Sequence, residues 1–271
     1  YDLMIQHGFH AARYLFSLQI VFIGFVLFST ITLVAGWISQ NFAAYRKLSN
    51  GMKKEWRCRV TAFSHAIFAI VAMTYAALTF PYALEPEALI RGDTDFLRFT
   101  ESICCGYFLW DAAIILLNWG EKETDYFGVS GIIHGTMCSV VYLASLAPFG
   151  MYLTGLHLLF EYSTPFLHIR WFLIKTGNAD NAFAITNDYV FVFVFFVARV
   201  CMGPYYIYLY LQSYIALPYD PMNYIFMNTI LISNGLNYYW FYCILKSALV
   251  ASPSAKKEKS RKKKAQRKKQ K

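Results

Sequence analysis

The sequence predicts an all-α polytopic membrane protein with about seven transmembrane helices. Three observations carry the prediction. The 271 residues are 57% hydrophobic, 19% aromatic and only 15% charged, a balance that soluble domains rarely show. Seven segments stay apolar over the roughly 20 residues that a helix needs to cross ~30 Å of hydrocarbon. Lys and Arg also gather where an odd number of crossings would leave them on one side.

In order, residues 1–13 form a short N-terminal segment on the non-cytosolic side, 14–249 the membrane domain, and 250–271 a disordered polybasic cytosolic tail. The spans are expected near 14–38, 60–80, 98–119, 128–147, 150–174, 188–214 and 223–248, since turn chemistry separates them. The breaks are Ser49-Asn50-Gly51, Pro81, Gly92-Asp93, Gly120, Pro148 with Gly150, Gly177-Asn178, and Pro218 with Pro221. The first loop carries Arg46, Lys47, Lys53, Lys54, Arg57 and Arg59, whereas the next one sets Arg91 against Glu85, Glu87, Asp93 and Asp95. The positive-inside rule therefore puts the first loop and the tail in the cytosol.

The net charge of +9 is a property of the tail alone. Residues 254–271 hold eleven Lys/Arg and one Glu, and the remaining 253 residues come to −1. No basic body is left to bind nucleic acid, and the tail is suited to solvent and to anionic headgroups. None of the six cysteines falls in a metal-ligand spacing, and they read as small buried apolar residues.

Ionisable groups at membrane depth are costly, so they mark candidate sites. The third span carries Asp111, with Asn118 two turns along the same face. The fourth carries His134 on a face shared with Cys138 and Tyr142. In the fifth, His157, Glu161, Pro165 and His168 draw one polar stripe, ending at Arg170-Trp171. The sixth has Arg199 ahead of the Gly203-Pro204 kink, with Glu161 or Asp111 as the natural counter-ion. The second adds His65, and the seventh Asn234 and Asn237. Together they predict a polar cavity facing inward. Packing by interhelical hydrogen bonds is the alternative for such groups.

Six segments in fixed order resemble the TLC domain family, which includes ceramide synthases and translocon-associated membrane proteins. They are KKEWRCRVTAFSHA (53–66), YFLWD (107–111), GIIHG (131–135), FEYSTPFLHIRWFL (160–173), FVARVCMGPYY (196–206) and LNYYWFYCILK (236–246). The Glu-x-Ser-Thr-Pro-Phe-Leu segment is most similar to the smaller TLC-domain-containing lipid-homeostasis proteins. The resemblance implies a six-helix barrel plus one helix, around a lipid-sized tunnel in the endoplasmic reticulum.

Ceramide synthases of that family transfer an acyl group from acyl-CoA to a sphingoid amine through a His-His pair. Here Ile133-His134-Gly135 retains one imidazole. Two functions follow as expectations. One is lipid binding in the cavity for membrane lipid homeostasis, with Glu161, Arg199, His65, His168 and Asn118 as lipid-binding residues. The other is N-acyl transfer with His134 as base or nucleophile and Asp111 orienting it. Neither needs a metal or a resident cofactor; acyl-CoA would be a substrate. Membrane lipids are the expected partners, with a membrane-protein partner for a cargo or assembly role. Lys268 and Lys269 fit a dilysine retrieval signal.

Overall fold

The computed structural model describes residues 2–80, 89, 92–147, 150–216 and 222–251, and all regular structure among them is helical. The chain runs through α1 (Asp2–Ser39), α2 (Ala43–Arg46), α3 (Asn50–Thr79), α4 (Asp95–Leu117) and α5 (Val129–Leu146). It continues through α6 (Met151–His157), a 3-10 stretch (Leu158–Ser163), α7 (Thr164–Lys175) and α8 (Ala182–Phe195). A π-helical stretch (Phe196–Cys201), α9 (Met202–Ala216) and α10 (Met222–Ala251) complete it.

Five stretches are long and apolar enough to cross a membrane: Ala11–Ser39, Asn50–Thr79, Asp95–Leu117, Val129–Leu146 and Ala182–Gln212. The other two expected spans are helical as well, one broken by the 3-10 stretch and the other forming α10. Helix α1 begins well before residue 14, at Asp2. The sequence readings on Pro81, Glu85, Glu87, Arg91, Pro148, Pro218 and Pro221, and on the tail with Lys268 and Lys269, fall outside the described residues.

Helix α4 is the axis of the fold. From Leu97 to Asp111 nearly every residue is buried, so its polar groups meet protein rather than lipid. Small residues let its neighbours come this close. A Cβ on Gly24 of α1 would lie 2.8 Å from the carbonyl oxygen of Ile103, and one on Gly135 of α5 would lie 3.2 Å from Ala112 Cα. Such backbone-to-backbone contacts hold helices together where lipid tails leave no hydrophobic drive between them. The outer face of α1 exposes Phe22, Ile23, Leu33 and Trp37, which suits a hydrocarbon solvent.

Polar ties close both ends of the bundle. At one end Ser49 caps α3, accepting from the Met52 amide and donating to Glu123 at 2.8 Å. Glu123 also accepts from the Gly51 amide at 2.6 Å, while Lys54 pairs with Glu121 at 3.4 Å. The first basic loop and residues 121–124 therefore share one end. At the other, Arg98 pairs with Asp93 at 2.5 Å and donates to the Leu146 carbonyl at 2.8 Å; Arg13 reaches the same Asp93 at 3.0 Å.

Candidate functional site

Two helical irregularities build the centre of the site. Pro165 has no N–H to offer the Glu161 carbonyl, and the chain before it tightens into the 3-10 stretch. Pro204 likewise offers nothing to the preceding turn, and Phe196–Cys201 widens into the π-helix. The first irregularity carries Glu161 and the second Arg199, and the two segments pack against each other.

The helix that carries the expected polar stripe of His157, Glu161, Pro165 and His168 tightens to three residues per turn over Leu158–Ser163. His157 lines the smaller cavity and His168 the larger, with Glu161 between them lining both.

Arg199 is held on every side. Its Nε donates to the Phe160 carbonyl and to Ser163 Oγ, both at 3.1 Å. Its Nη1 donates to Asn237 Oδ1 at 3.1 Å and its Nη2 to Thr164 Oγ1 at 3.3 Å. The guanidinium also lies over the rings of Phe160, Phe195 and Trp240, at 5.3–5.8 Å. Of the two expected counter-ions, Glu161 is the one within range, and only loosely, with Oε1 3.9 Å from Nη2. That pair is held apart enough to leave the carboxylate available to a third group.

A cavity of about 60 Å³ and another of about 330 Å³ meet here, and His134, Glu161 and Arg199 line both. The smaller is otherwise lined by groups such as Cys138, Thr154, His157 and Phe226. The larger contains Asp111, Tyr126, Thr164 and His168 among mostly apolar walls. An apolar space with a few convergent polar groups is the usual form of a small-molecule site.

The remaining predicted residues fall into place around this junction. His134 is clamped edge-on between Phe108 and Trp240, at 5.9 and 5.6 Å, with Nε2 at 3.6 Å from Cys138 Sγ. Asp111 shares the larger cavity with it and has the Tyr126 hydroxyl as its hydrogen-bond neighbour; no hydrogen bond joins it to His134. His168 is buried, with Nδ1 3.3 Å from Arg59 Nη1 and Nε2 without a partner. His65 is fully buried and stacks on Tyr107 at 3.7 Å, so it reaches the larger cavity only through that ring. Asn118 lines neither cavity. Its amide turns back to the Ile114 carbonyl at 2.8 Å, at the C-terminus of α4.

Two groups escaped the sequence reading. Glu101 of α4 is fully buried and accepts from Ser145 Oγ at 2.6 Å and Thr154 Oγ1 at 2.9 Å, joining α4, α5 and α6. Glu55 and Arg59 pair at 2.7 Å, with Arg59 between the rings of Tyr126 and Trp171 beside His168. Of the cysteines expected to be small buried residues, Cys58, Cys104, Cys105 and Cys138 are buried, whereas Cys243 is half-buried and Cys201 exposed; Cys138 meets His134 on the face that the sequence assigned to both. Glu101 was open to the rule that singled out Asp111, for it too interrupts an apolar run.

Comparison with known proteins agrees with this architecture. Residues 55–246 match the family model of the TLC domain. A TLC domain-containing protein of Schizosaccharomyces pombe is 25% identical over 191 residues, covering 69% of this chain and 62% of its own length. TLC domain-containing protein 4-A of Xenopus laevis is 26% identical over 230 residues, covering 82% of this chain and 86% of its own. Protein CLN8 of Mus musculus is 28% identical over 176 residues, covering 64% of this chain and 59% of its own.

Proposed function

This chain belongs to the TLC domain family, an integral membrane group linked to lipid homeostasis, and we propose that it acts there by holding a membrane lipid across the two joined cavities. The observation that carries the reading is the loose Glu161–Arg199 pair at their junction. Charged groups inside a membrane domain are kept when they face a partner or a cavity. Here Arg199 is satisfied by neutral acceptors, and Glu161 is left open to a hydroxyl or amine of a lipid head. The apolar walls of the larger cavity, Ile115, Phe191 and Ile244 among them, would take hydrocarbon. His134 and the unpartnered Nε2 of His168 supply further contacts for the head.

Acyl transfer from acyl-CoA to a sphingoid amine is a second reading, favoured by the place of His134 where both cavities open. Asp111 would orient it only after a rearrangement, since the two are not bonded. The endoplasmic reticulum is the proposed location, with the tail in the cytosol, on the strength of the basic first loop and the Lys268-Lys269 pattern.

Native mass spectrometry of the purified protein, followed by lipid extraction, tests the main reading. Wild type should carry one class of lipid, and Glu161→Gln should carry several-fold less while still folding. A wild-type protein that emerges without lipid from mild detergent would overturn it.

A further inference from the structure

We propose that Cys138 is an acyl acceptor, activated by His134, so that the protein carries a fatty acyl group as a thioester on the wall of the smaller cavity. The inference rests on the lipid-binding reading above, because it needs an acyl lipid in that space.

The geometry is that of an activated thiol. A nucleophile and a base must lie within hydrogen-bond reach, with the base held in orientation by a third element. Cys138 Sγ is 3.6 Å from His134 Nε2, one helical turn away on α5. Phe108 and Trp240 meet the imidazole edge-on and fix its plane. Both residues line the smaller cavity, whose nearby walls include Met137, Val141, Leu153 and Ile230. Those walls keep water from the thioester, and the chain beyond it would extend from this space of about 60 Å³ into the larger cavity, which shares His134, Glu161 and Arg199 with it. Arg199 lines the same space and puts a positive charge on its wall, with Nε, Nη1 and Nη2 each donating to a neutral acceptor. Among the described hydrogen bonds no other cysteine meets an imidazole: Cys58, Cys104 and Cys105 are buried and line neither cavity of the junction, and Cys243 lines the larger cavity alone.

The step balances without an oxidant or reductant. The thiol proton passes to His134 Nε2 as sulfur attacks the carbonyl of an acyl thioester donor. The bond from the carbonyl carbon to the donor sulfur breaks, and the departing thiolate takes the proton from His134. One thioester has been exchanged for another, so the exchange is close to balanced in free energy. A lipid hydroxyl or amine beside Glu161 can then attack the enzyme thioester, giving its proton to His134, which returns it to the Cys138 thiolate.

Intact-mass measurement after incubation with palmitoyl-CoA, with peptide mapping and treatment with neutral hydroxylamine, tests this. The expected result is a single acyl adduct on Cys138 that hydroxylamine removes. It should be absent in Cys138→Ala and should form about a hundredfold more slowly in His134→Gln, the scale of a general base. Unchanged size-exclusion profiles and thermal midpoints in detergent would show that both variants fold. An adduct that persists in Cys138→Ala, on His134, on Cys243 of the larger cavity or on the exposed Cys201, would overturn the assignment to Cys138. Wild-type protein that holds lipid and never forms an adduct would overturn it as well, leaving lipid binding intact. Loss of both adduct and lipid from wild type would remove the two together.

Discussion

At the scale of single residues, Arg199 and Glu101 show how differently two buried charges can be kept. Arg199 relies on four neutral acceptors and three rings, with its carboxylate at the edge of range. Arg199→Leu removes all of them at once and leaves Glu161 and Asn237 Oδ1 without their donor. Breaking a buried pair by deleting one partner costs about 3–5 kcal/mol. We expect a comparable loss in detergent-denaturation midpoints, only partly recovered in the double variant with Glu161→Gln, because the neutral acceptors stay orphaned. Full recovery would mean that the ion pair alone matters. Glu101 meets only hydroxyls, from α5 and α6. Glu101→Gln keeps the volume and most acceptor capacity, so it should cost about 1 kcal/mol, while Glu101→Leu leaves Ser145 and Thr154 only the carbonyls of their own helices and should cost about 2 kcal/mol. Equal thermal shifts for the two would show that Glu101 contributes packing and not hydrogen bonds. The sequence reading overlooked it because its partners lie 44 and 53 residues away and are ordinary Ser and Thr.

Elements tell how the parts meet. The spans were legible because a 20-residue apolar run has few other meanings, and the breaks because Gly and Pro punctuate them. Gly150, expected at a turn, sits at φ 72°, where a side chain would be strained. The 3-10 and π-helical stretches were not legible, although Pro165 and Pro204 stand beside them, since proline says that a helix is perturbed and not which way it winds. Glu161 lies within the 3-10 stretch and Arg199 within the π-helical one, so both irregularities fall where the two cavities meet. Gly106→Leu is the sharpest test of the α1–α4 crossing, because its added Cβ alone would lie 2.6 Å from the Phe25 amide nitrogen. The helices must separate, and we expect loss of the folded fraction by size exclusion; a normal yield would show that α1 is not anchored there. The start of α3 carries a pH signature. Hydrogen bonds from Ser49 and Gly51 hold the Glu123 carboxyl below its ordinary range. Its contribution is therefore complete above the unfolded value near 4.5 and is lost as pH falls through the lower folded value. The protection factor of the Gly51 amide, its exchange rate relative to the intrinsic rate at each pH, should fall over that acid window, and Glu123→Gln should abolish that change.

For the whole molecule, the decisive relation is that its two polar ends differ in kind. Glu123, Glu121, Lys54 and Ser49 gather at the end where the first basic loop lies, and the larger cavity opens toward it through Tyr126 and His168. Arg13, Asp93 and Arg98 tie the opposite end, where acidic groups balance the arginines. The sequence placed those loops on opposite sides from charge alone, and the antiparallel course of α3 and α4 supplies the same separation by packing. What charge cannot give is depth: Asp111 and Asn118 share a helical face, yet one turns into the cavity and the other back onto its own helix. If the basic end faces the cytosol, the larger cavity is supplied with soluble thioester donors from there, and the smaller one lies toward the far leaflet. Topology in sealed microsomes tests the orientation on which this rests. An N-glycosylation acceptor inserted at Gly92-Asp93 should be modified, and one inserted at Lys122 should not. The reverse pattern would turn the molecule over, leave its cavities and ties unchanged, and require the donor to arrive from the lumen, where the Cys138 chemistry would have no cytosolic pool to draw on.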